Sequence, residues 1–115
     1  MGVMKAIAQL IDENREYLVQ TRRNEKLNAE EGWRFIFPNS WGVDIAFGPG
    51  SYGYKEGLFE LALVRSIDGE IQLEYEECVE GDVLGCMTIG DLEVMMNQIK
   101  EGRIHNEPDI YKEGK

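Results

Sequence analysis

The sequence predicts one α+β domain that consists of a long N-terminal helix, a four-stranded antiparallel meander and a C-terminal helix packed on the sheet. Two observations lead to this prediction. Apolar residues recur at helical spacing near both ends of the chain, and between them lie four runs in which apolar and polar residues alternate. The 115 residues are enough for one hydrophobic core and too few for two. We assign residues 1–102 to this domain and residues 103–115, which lack periodicity, to a polar C-terminal tail.

The N-terminal helix is predicted to run from Val3 to Leu27. Its apolar stripe contains Met4, Ile7, Leu10, Ile11, Tyr17 and Leu18. A helix of this length would extend about 36 Å, whereas a six-residue strand spans about 20 Å. Since the helix would overhang its own sheet, we expect a homo-oligomer that forms through this element. The alternative is a helix that frays after Thr21.

Four strands follow from period-2 alternation and from the turn residues between the runs. The predicted strands are Trp33–Phe37, Trp41–Phe47, Leu58–Val64 and Glu70–Glu76. The third strand is apolar apart from Glu60, for which a structural ion pair with Arg34 or Arg65 is the main expectation. Thr88 is the predicted N-cap of the C-terminal helix, and Gly102 is its predicted end.

Composition and net charge argue against three classes of protein: nucleic-acid-binding proteins, zinc proteins and membrane proteins. The net charge of −10 and the absence of a basic stripe disfavour direct nucleic-acid binding. The single histidine and the two cysteines, Cys78 and Cys86, give too few soft ligands for a dedicated zinc site, and we predict no metal and no cofactor. No apolar run is long enough for a membrane span or resembles a signal peptide, so the prediction is a cytoplasmic protein.

The glycine-rich segment Gly48–Gly53 matches the pattern G-x-G-x-x-G. A dinucleotide-binding fold needs a helix after this pattern, but here a strand follows, so that interpretation fails. The segment is either an irregular hairpin whose glycines adopt positive φ or a loop that covers phosphates with backbone N–H groups. In the second case Trp41, Tyr52 and Tyr54 would stack on a base, and Lys55 would meet a phosphate.

Arginine residues supply further candidate ligand groups. Arg22 and Arg23 lie near the predicted C-terminus of the first helix, where they either complement the helix dipole or bind an anion. No catalytic residues are predicted, because no nucleophile, base and orienting group can be assembled around Glu60 or His105.

Several short motifs resemble those of small phage and prophage proteins. The motifs are Ser51-Tyr52-Gly53, Gly57-Leu58-Phe59-Glu60-Leu61-Ala62, Asp82-Val83-Leu84-Gly85 and Thr88 at the start of a helix. The likeness covers about Trp41 to Ile99. More weakly, the chain resembles the Thoeris anti-defence sponges, small oligomers that sequester cyclic ADP-ribose-type immune signals without cleaving them.

The resemblance to sponges implies a non-catalytic protein of the host cytoplasm that binds a small cyclic nucleotide between protomers. Such a ligand needs cations for its phosphates and an aromatic ring for its adenine. The candidate residues for these roles are Arg22, Arg23, Lys55, Arg103, Trp41, Tyr52 and Tyr54.

The uneven distribution of charge supports an alternative function. Between Asp68 and Asp109 twelve carboxylates accompany only Lys100 and Arg103. This acidic region is either a solvated surface or a surface that binds a basic host protein and mimics nucleic acid, as an anti-CRISPR inhibitor would. Glu74, Glu76 and Glu77 would carry that contact. An enzyme is the least supported class.

Overall fold

The computed structural model describes residues 2–51, 53–73 and 84–102. These residues form two α-helices and six β-strands, with short 3₁₀ turns at Arg15–Tyr17 and Tyr54–Glu56. The helices are α1 (Gly2–Glu13) and α2 (Ile89–Lys100). The strands are β1 (Leu18–Asn24), β2 (Ala29–Ile36), β3 (Trp41–Ala46), β4 (Phe59–Ile67), β5 (Glu70–Leu73) and β6 (Leu84–Met87).

All six strands belong to one antiparallel sheet. Strands β1 to β5 are neighbours in chain order, and β6 also pairs with β4. In the first part of β4, residues Phe59 to Leu61 pair with β6. In the last part of β4, residues Val64 to Ile67 pair with β5. The sheet therefore has two short strands beside β4, on the side away from β3.

The predicted long N-terminal helix is wrong. Helix α1 ends at Glu13, where the side-chain amide of Asn14 donates a hydrogen bond of 3.0 Å to the carbonyl of Leu10. The chain then forms strand β1, which pairs with β2. The β-branched residues Val19 and Thr21 suit a strand better than a helix. Because α1 has only 12 residues, the overhang from which we expected a homo-oligomer does not exist.

The prediction of a four-stranded meander is also wrong, because β1 precedes the four predicted strands and β6 follows them. A tight turn joins β1 to β2. Within it the Asn24 side chain accepts hydrogen bonds from the N–H groups of Lys26 and Leu27, and Asn28 adopts a positive φ of 53°. Strand β2 therefore starts at Ala29, earlier than predicted. The predicted fourth strand corresponds to β5, and its last residues lie outside the described part of the chain.

The hydrophobic core lies between one face of the sheet and the two helices. Strand side chains alternate so that Phe35, Val43 and Leu63, which are neighbours in register, are all fully buried. Helix α1 contributes Ile7, Leu10 and Ile11, and helix α2 contributes Leu92, Met95, Met96 and Ile99. Each large apolar side chain buried in this way contributes about 1.5–3 kcal/mol of transfer free energy. The residues between these core positions, among them Arg34 and Asp44, are directed to the other face of the sheet, which we call the outer face.

The start of helix α2 confirms the predicted N-cap. The Thr88 hydroxyl accepts a hydrogen bond from the backbone N–H of Asp91, and the Asp91 carboxylate accepts one from the backbone N–H of Thr88. At the other end, Gly102 adopts a positive φ of 81° just after the helix, as a C-terminal glycine typically does. No helix in the described residues is long and apolar enough to cross a lipid bilayer.

Candidate functional site

The outer face of the sheet carries a cluster of three charged side chains centred on Asp44. Arg22 donates from Nη1 and Nη2 to the two carboxylate oxygens of Asp44, both at 2.8 Å. Arg34 donates from Nε to the same carboxylate at 2.7 Å. Asp44 is only 7% exposed. Two positive charges thus meet one negative charge, in a geometry in which charge-assisted hydrogen bonds are strong.

The register of the sheet explains how this cluster forms. Arg34 lies directly opposite Asp44 across the β2–β3 pair, and Arg22 lies opposite Gly32 across the β1–β2 pair. A Cβ atom at position 32 would overlap the Arg22 guanidinium. Because Gly32 has no side chain, Arg22 crosses strand β2 and reaches Asp44 on the next strand.

The electrostatic state of Arg22 follows from the same contacts. The hydrogen bonds to Asp44 raise the pKa of Arg22 above its usual value, although burial acts in the opposite direction. The charges of Asp44 and Glu31 add to the increase. Arg22 therefore stays fully protonated at any physiological pH and remains a cationic donor at this place.

A cleft of about 170 Å³ lies beside the cluster. Its lining residues are Arg22, Glu31, Ala46, Gly48, Gly50, Ser51 and Glu60. Glu31 accepts a hydrogen bond of 2.9 Å from the side-chain amide of Asn24. The Ser51 hydroxyl donates to the Gly48 carbonyl at 2.8 Å and accepts from the Gly48 N–H at 3.0 Å, which closes the glycine-rich loop on itself.

The cleft combines a guanidinium donor with carboxylate acceptors. This combination suits a ligand that carries both an anionic group and hydroxyl or amino donors. Within the described residues no group of three or more His, Cys, Asp or Glu side chains could hold a metal ion. The hydrogen bonds of the Ser51 hydroxyl are made to the Gly48 backbone.

Of the predicted ligand cations that lie in the described residues, one, Arg22, reaches the cleft. Arg22 lies there, on a strand and beside the glycine-rich loop. Arg23 points elsewhere and contacts the side chains of Asn28 and Glu30 in the β1–β2 hairpin. Lys55 is exposed in the 3₁₀ turn and does not line the cleft.

The aromatic candidates occupy other places. Trp41 is buried in the core with the Arg65 guanidinium 4.7 Å from its ring centroid, so a ligand base cannot stack on it without opening the core. The Tyr54 ring packs against Phe47, with the ring centroids 4.8 Å apart. Tyr52 and Arg103 lie outside the described residues.

Three residues of the site were not predicted from the sequence as ligand groups. Asp44 and Glu31 carry no sequence motif that marks a ligand group, and the expectation for Arg34 is an ion pair with Glu60. For the contact between Arg34 and Asp44, the sequence does contain a signal, which is the turn between the two strands. If the strands flanking Pro38–Ser40 form a tight hairpin, Arg34 must lie close to Asp44.

The remaining predicted features lie beyond what the structure describes. The residues Glu74, Glu76 and Glu77 of the acidic region, Cys78 and His105 fall outside the described residues. Comparison with models of known protein families, with characterised proteins and with solved structures finds no match for this chain.

Proposed function

We propose that the protein binds a small anionic ligand of the nucleotide class in the outer-face cleft and holds it without chemical conversion. One observation carries the proposal: Arg22 and Arg34 share the single carboxylate of Asp44, and Arg22 lines the cleft beside the glycine-rich loop. Arg22 lines the cleft, and its guanidinium group can still donate hydrogen bonds to a further anionic group.

The N–H donors that Arg22 and Arg34 do not use on Asp44 support this proposal. Arg34 uses its Nε on Asp44, and Arg22 uses one hydrogen of each Nη. A guanidinium group carries more N–H donors than these contacts consume. Asp44 meanwhile fixes the orientation of both side chains, so a phosphate that binds there does not have to order them, which lowers the entropic cost of binding.

The size and the acceptors of the cleft point to the ligand class. Small-molecule sites usually have about 300–1,000 Å³, so a cleft of about 170 Å³ has room for one end of a nucleotide, such as a phosphate with part of its sugar. Glu31 and Glu60 line the same cleft and offer carboxylate oxygens to sugar hydroxyls. An anion without hydroxyl or amino donors would meet these carboxylates with repulsion.

The biological role that we propose comes from the resemblance to anti-defence sponges. In this role the protein sequesters a cyclic nucleotide immune signal of the cyclic ADP-ribose type in the cytoplasm of a host cell. Stoichiometric binding is sufficient for such a role, and no reaction is needed.

The test is thermal unfolding and calorimetry with nucleoside monophosphates, cyclic dinucleotides and cyclic ADP-ribose isomers. A ligand at about 100 times its dissociation constant adds about 2.7 kcal/mol to the free energy of unfolding, which raises the melting temperature by several degrees. Inorganic phosphate is the control anion, because it has no sugar hydroxyl groups. We expect it to bind much more weakly than the nucleotides.

Adjacent arginines provide a matched pair of variants. We expect Arg22→Gln to abolish binding and Arg23→Gln to preserve it, because only Arg22 lines the cleft. Each variant is measured below its own melting temperature, so that lost binding is not confused with unfolding. Recovery of the ligand unchanged would support sequestration. The absence of binding across the panel, or equal losses in the two variants, would contradict the proposal.

A further inference from the structure

Strand β2 contains a β-bulge beside the candidate site. Arg22 of β1 lies opposite Gly32 of β2. The next residue of β1, Arg23, lies opposite Glu30. Glu31 is therefore an extra residue of β2 that has no opposite residue in the β1–β2 pair.

This bulge turns the Glu31 side chain away from the core. Trp33 and Phe35 of the same strand are buried in the core, and regular alternation would place Glu31 on the core face with them. Glu31 instead lines the outer-face cleft together with Arg22. Bulges commonly re-aim a side chain beside a functional site. The presence of Glu31 in the cleft thus depends on this local irregularity of the strand.

The structure also holds the Glu31 side chain in place once it reaches the cleft. The side-chain amide of Asn24 donates a hydrogen bond of 2.9 Å to Oε1 of Glu31. A Cβ atom at position 48 would overlap the Glu31 carboxylate, so Gly48 leaves the space that this carboxylate occupies. The backbone carbonyl of Glu31 accepts a hydrogen bond of 3.0 Å from the N–H of Phe47, just before the glycine-rich loop.

The Glu31 carboxylate keeps acceptor capacity for a ligand. A carboxylate has two oxygens with about four lone-pair sites, and the Asn24 amide uses one of these sites, on Oε1. Among the residues that the structure describes, no other hydrogen bond reaches the Glu31 side chain. Oε2 can therefore accept hydrogen bonds from a molecule in the cleft.

We propose that Glu31 determines the specificity of the cleft by accepting hydrogen bonds from the 2′- and 3′-hydroxyl groups of a ribonucleotide whose phosphate binds to Arg22. This inference rests on the proposed function and deepens it, because it narrows the ligand to nucleotides in which both hydroxyl groups are free. A deoxyribonucleotide brings one donor fewer and should bind more weakly.

The arrangement of the two charged side chains favours a ribose as the partner of Glu31. Neighbouring hydroxyl groups can both donate to one carboxylate, and hydrogen bonds to an ionised acceptor are stronger than those between neutral groups. The Glu31 charge is near enough to raise the pKa of Arg22, so the two side chains can contact neighbouring groups of one small ligand. In a nucleotide, the group next to the phosphate is the sugar.

The first test compares three ligands on the wild-type protein by calorimetry. The ligands are adenosine 5′-monophosphate and its 2′-deoxy and 3′-deoxy forms, which share one base and one phosphate. We expect each deoxy form to bind at least about tenfold more weakly, because each loses a hydrogen bond to a charged acceptor. Equal affinities would overturn the inference and leave the proposed function standing. If none of the three binds, the inference is overturned, and the panel of cyclic nucleotides then decides the proposed function separately.

The second test uses adjacent glutamates as a matched pair. Glu31→Gln keeps the size of the side chain but removes its charge, so it should weaken binding of the ribonucleotide and remove most of its advantage over the deoxy forms. Glu30→Gln is the control, since Glu30 forms an ion pair with Arg23 and does not line the cleft. Full discrimination in Glu31→Gln, or an equal loss of discrimination in both variants, would overturn the inference. Should a variant fail to fold, the comparison of ligands on the wild type still decides.

Discussion

Arg22 and Asp44 are 22 residues apart in the chain and meet across strand β2 through two hydrogen bonds of 2.8 Å. The contact fastens the end strand of the sheet to its third strand. It depends on Gly32, which leaves the space above β2 open. The same pair therefore stabilises the edge of the sheet and orients the cation of the candidate site.

Replacing Asp44 should lower stability markedly. Asp44→Asn leaves two guanidinium groups beside a neutral side chain in a mostly buried position, which should reduce the free energy of unfolding by about 1–3 kcal/mol. Urea unfolding followed by circular dichroism measures the change. Asp12→Asn is the control, because the exposed Asp12–Arg15 pair contributes no more than about 0.5 kcal/mol. Equal losses of unfolding free energy in the two variants would show that the Asp44 cluster stabilises the protein no more than an exposed ion pair does.

Two glycines on either side of the 3₁₀ turn should respond differently to alanine. Gly57 adopts a φ of 76°, and a Cβ there would lie 3.3 Å from Cγ2 of Val3. Gly57→Ala should therefore destabilise the protein by about 1–2 kcal/mol. A Cβ at Gly50 meets no atom within 4 Å, so Gly50→Ala should change stability by less than about 0.5 kcal/mol. Denaturant midpoints of the two variants provide the comparison, and a reversed order would contradict this account of the loop.

The N-cap of helix α2 should be sensitive to the loss of one hydroxyl group. Thr88→Ala removes the acceptor for the Asp91 N–H, at 3.1 Å, and should cost about 1 kcal/mol. Thr88→Ser keeps the hydroxyl and should retain most of the stability. If chemical denaturation gave the same loss of unfolding free energy for both variants, the hydroxyl group would not be the source of the stabilisation.

Tyr17 should ionise at a higher pH than an ordinary tyrosine. Its hydrogen bond to Glu16 raises the pKa of Tyr17, and desolvation and the Glu16 charge act in the same direction. Because the folded chain holds this proton more tightly than the unfolded chain, the resulting stabilisation is complete below the usual pKa of about 10 and is lost as the pH rises through the folded pKa. Ultraviolet titration of phenolate absorbance, with Tyr17→Phe to identify the signal, measures the midpoint.

A change of the neighbouring carboxylate tests the cause of this shift. Glu16→Gln should move the Tyr17 midpoint back towards the ordinary value, whereas Glu13→Gln should leave it in place. A midpoint that does not respond to Glu16→Gln would assign the shift to desolvation instead.

The central part of the sheet was predictable because its signals are local. Strands β2 and β3 place large apolar residues at every second position within Trp33–Phe37 and Trp41–Ala46, with turn residues between the two strands, and the register follows from the turn. The N-cap of α2 was found for a similar reason, since Thr88 and Asp91 stand at the spacing of a capping box.

The sequence predicts a first helix that is too long, because the helical spacing of apolar residues in α1 continues into the first residues of strand β1. Tyr17 and Leu18 continue the apolar spacing of α1, although Leu18 already belongs to β1. What selects a strand there is pairing with β2, and a pattern within one segment does not reveal a partner that lies beyond the next turn. The overlap also placed Arg22 on a helix end, whereas the structure has it on the outer face.

The arginine cluster could be inferred only in part. Arg22 was recognised as a possible anion-binding residue, but its partner Asp44 has the same spacing as any solvent-facing residue of a strand. The contact requires both the β1–β2 register and the gap at Gly32. Neither is visible before the strand order is known.

The pairing of strands in chain order has a consequence for how the protein folds. Most pairs from β1 to β5 are joined by short turns, so much of the sheet can form by local closure with little loss of chain entropy. Helix α1 must instead pack onto the core from the N-terminal side of β1, and strand β6 must return past β5 to pair with β4. We therefore expect the transition state for folding to contain the β1–β2 and β2–β3 hairpins, so that substitutions in those turns slow refolding, whereas substitutions in α1 mainly accelerate unfolding.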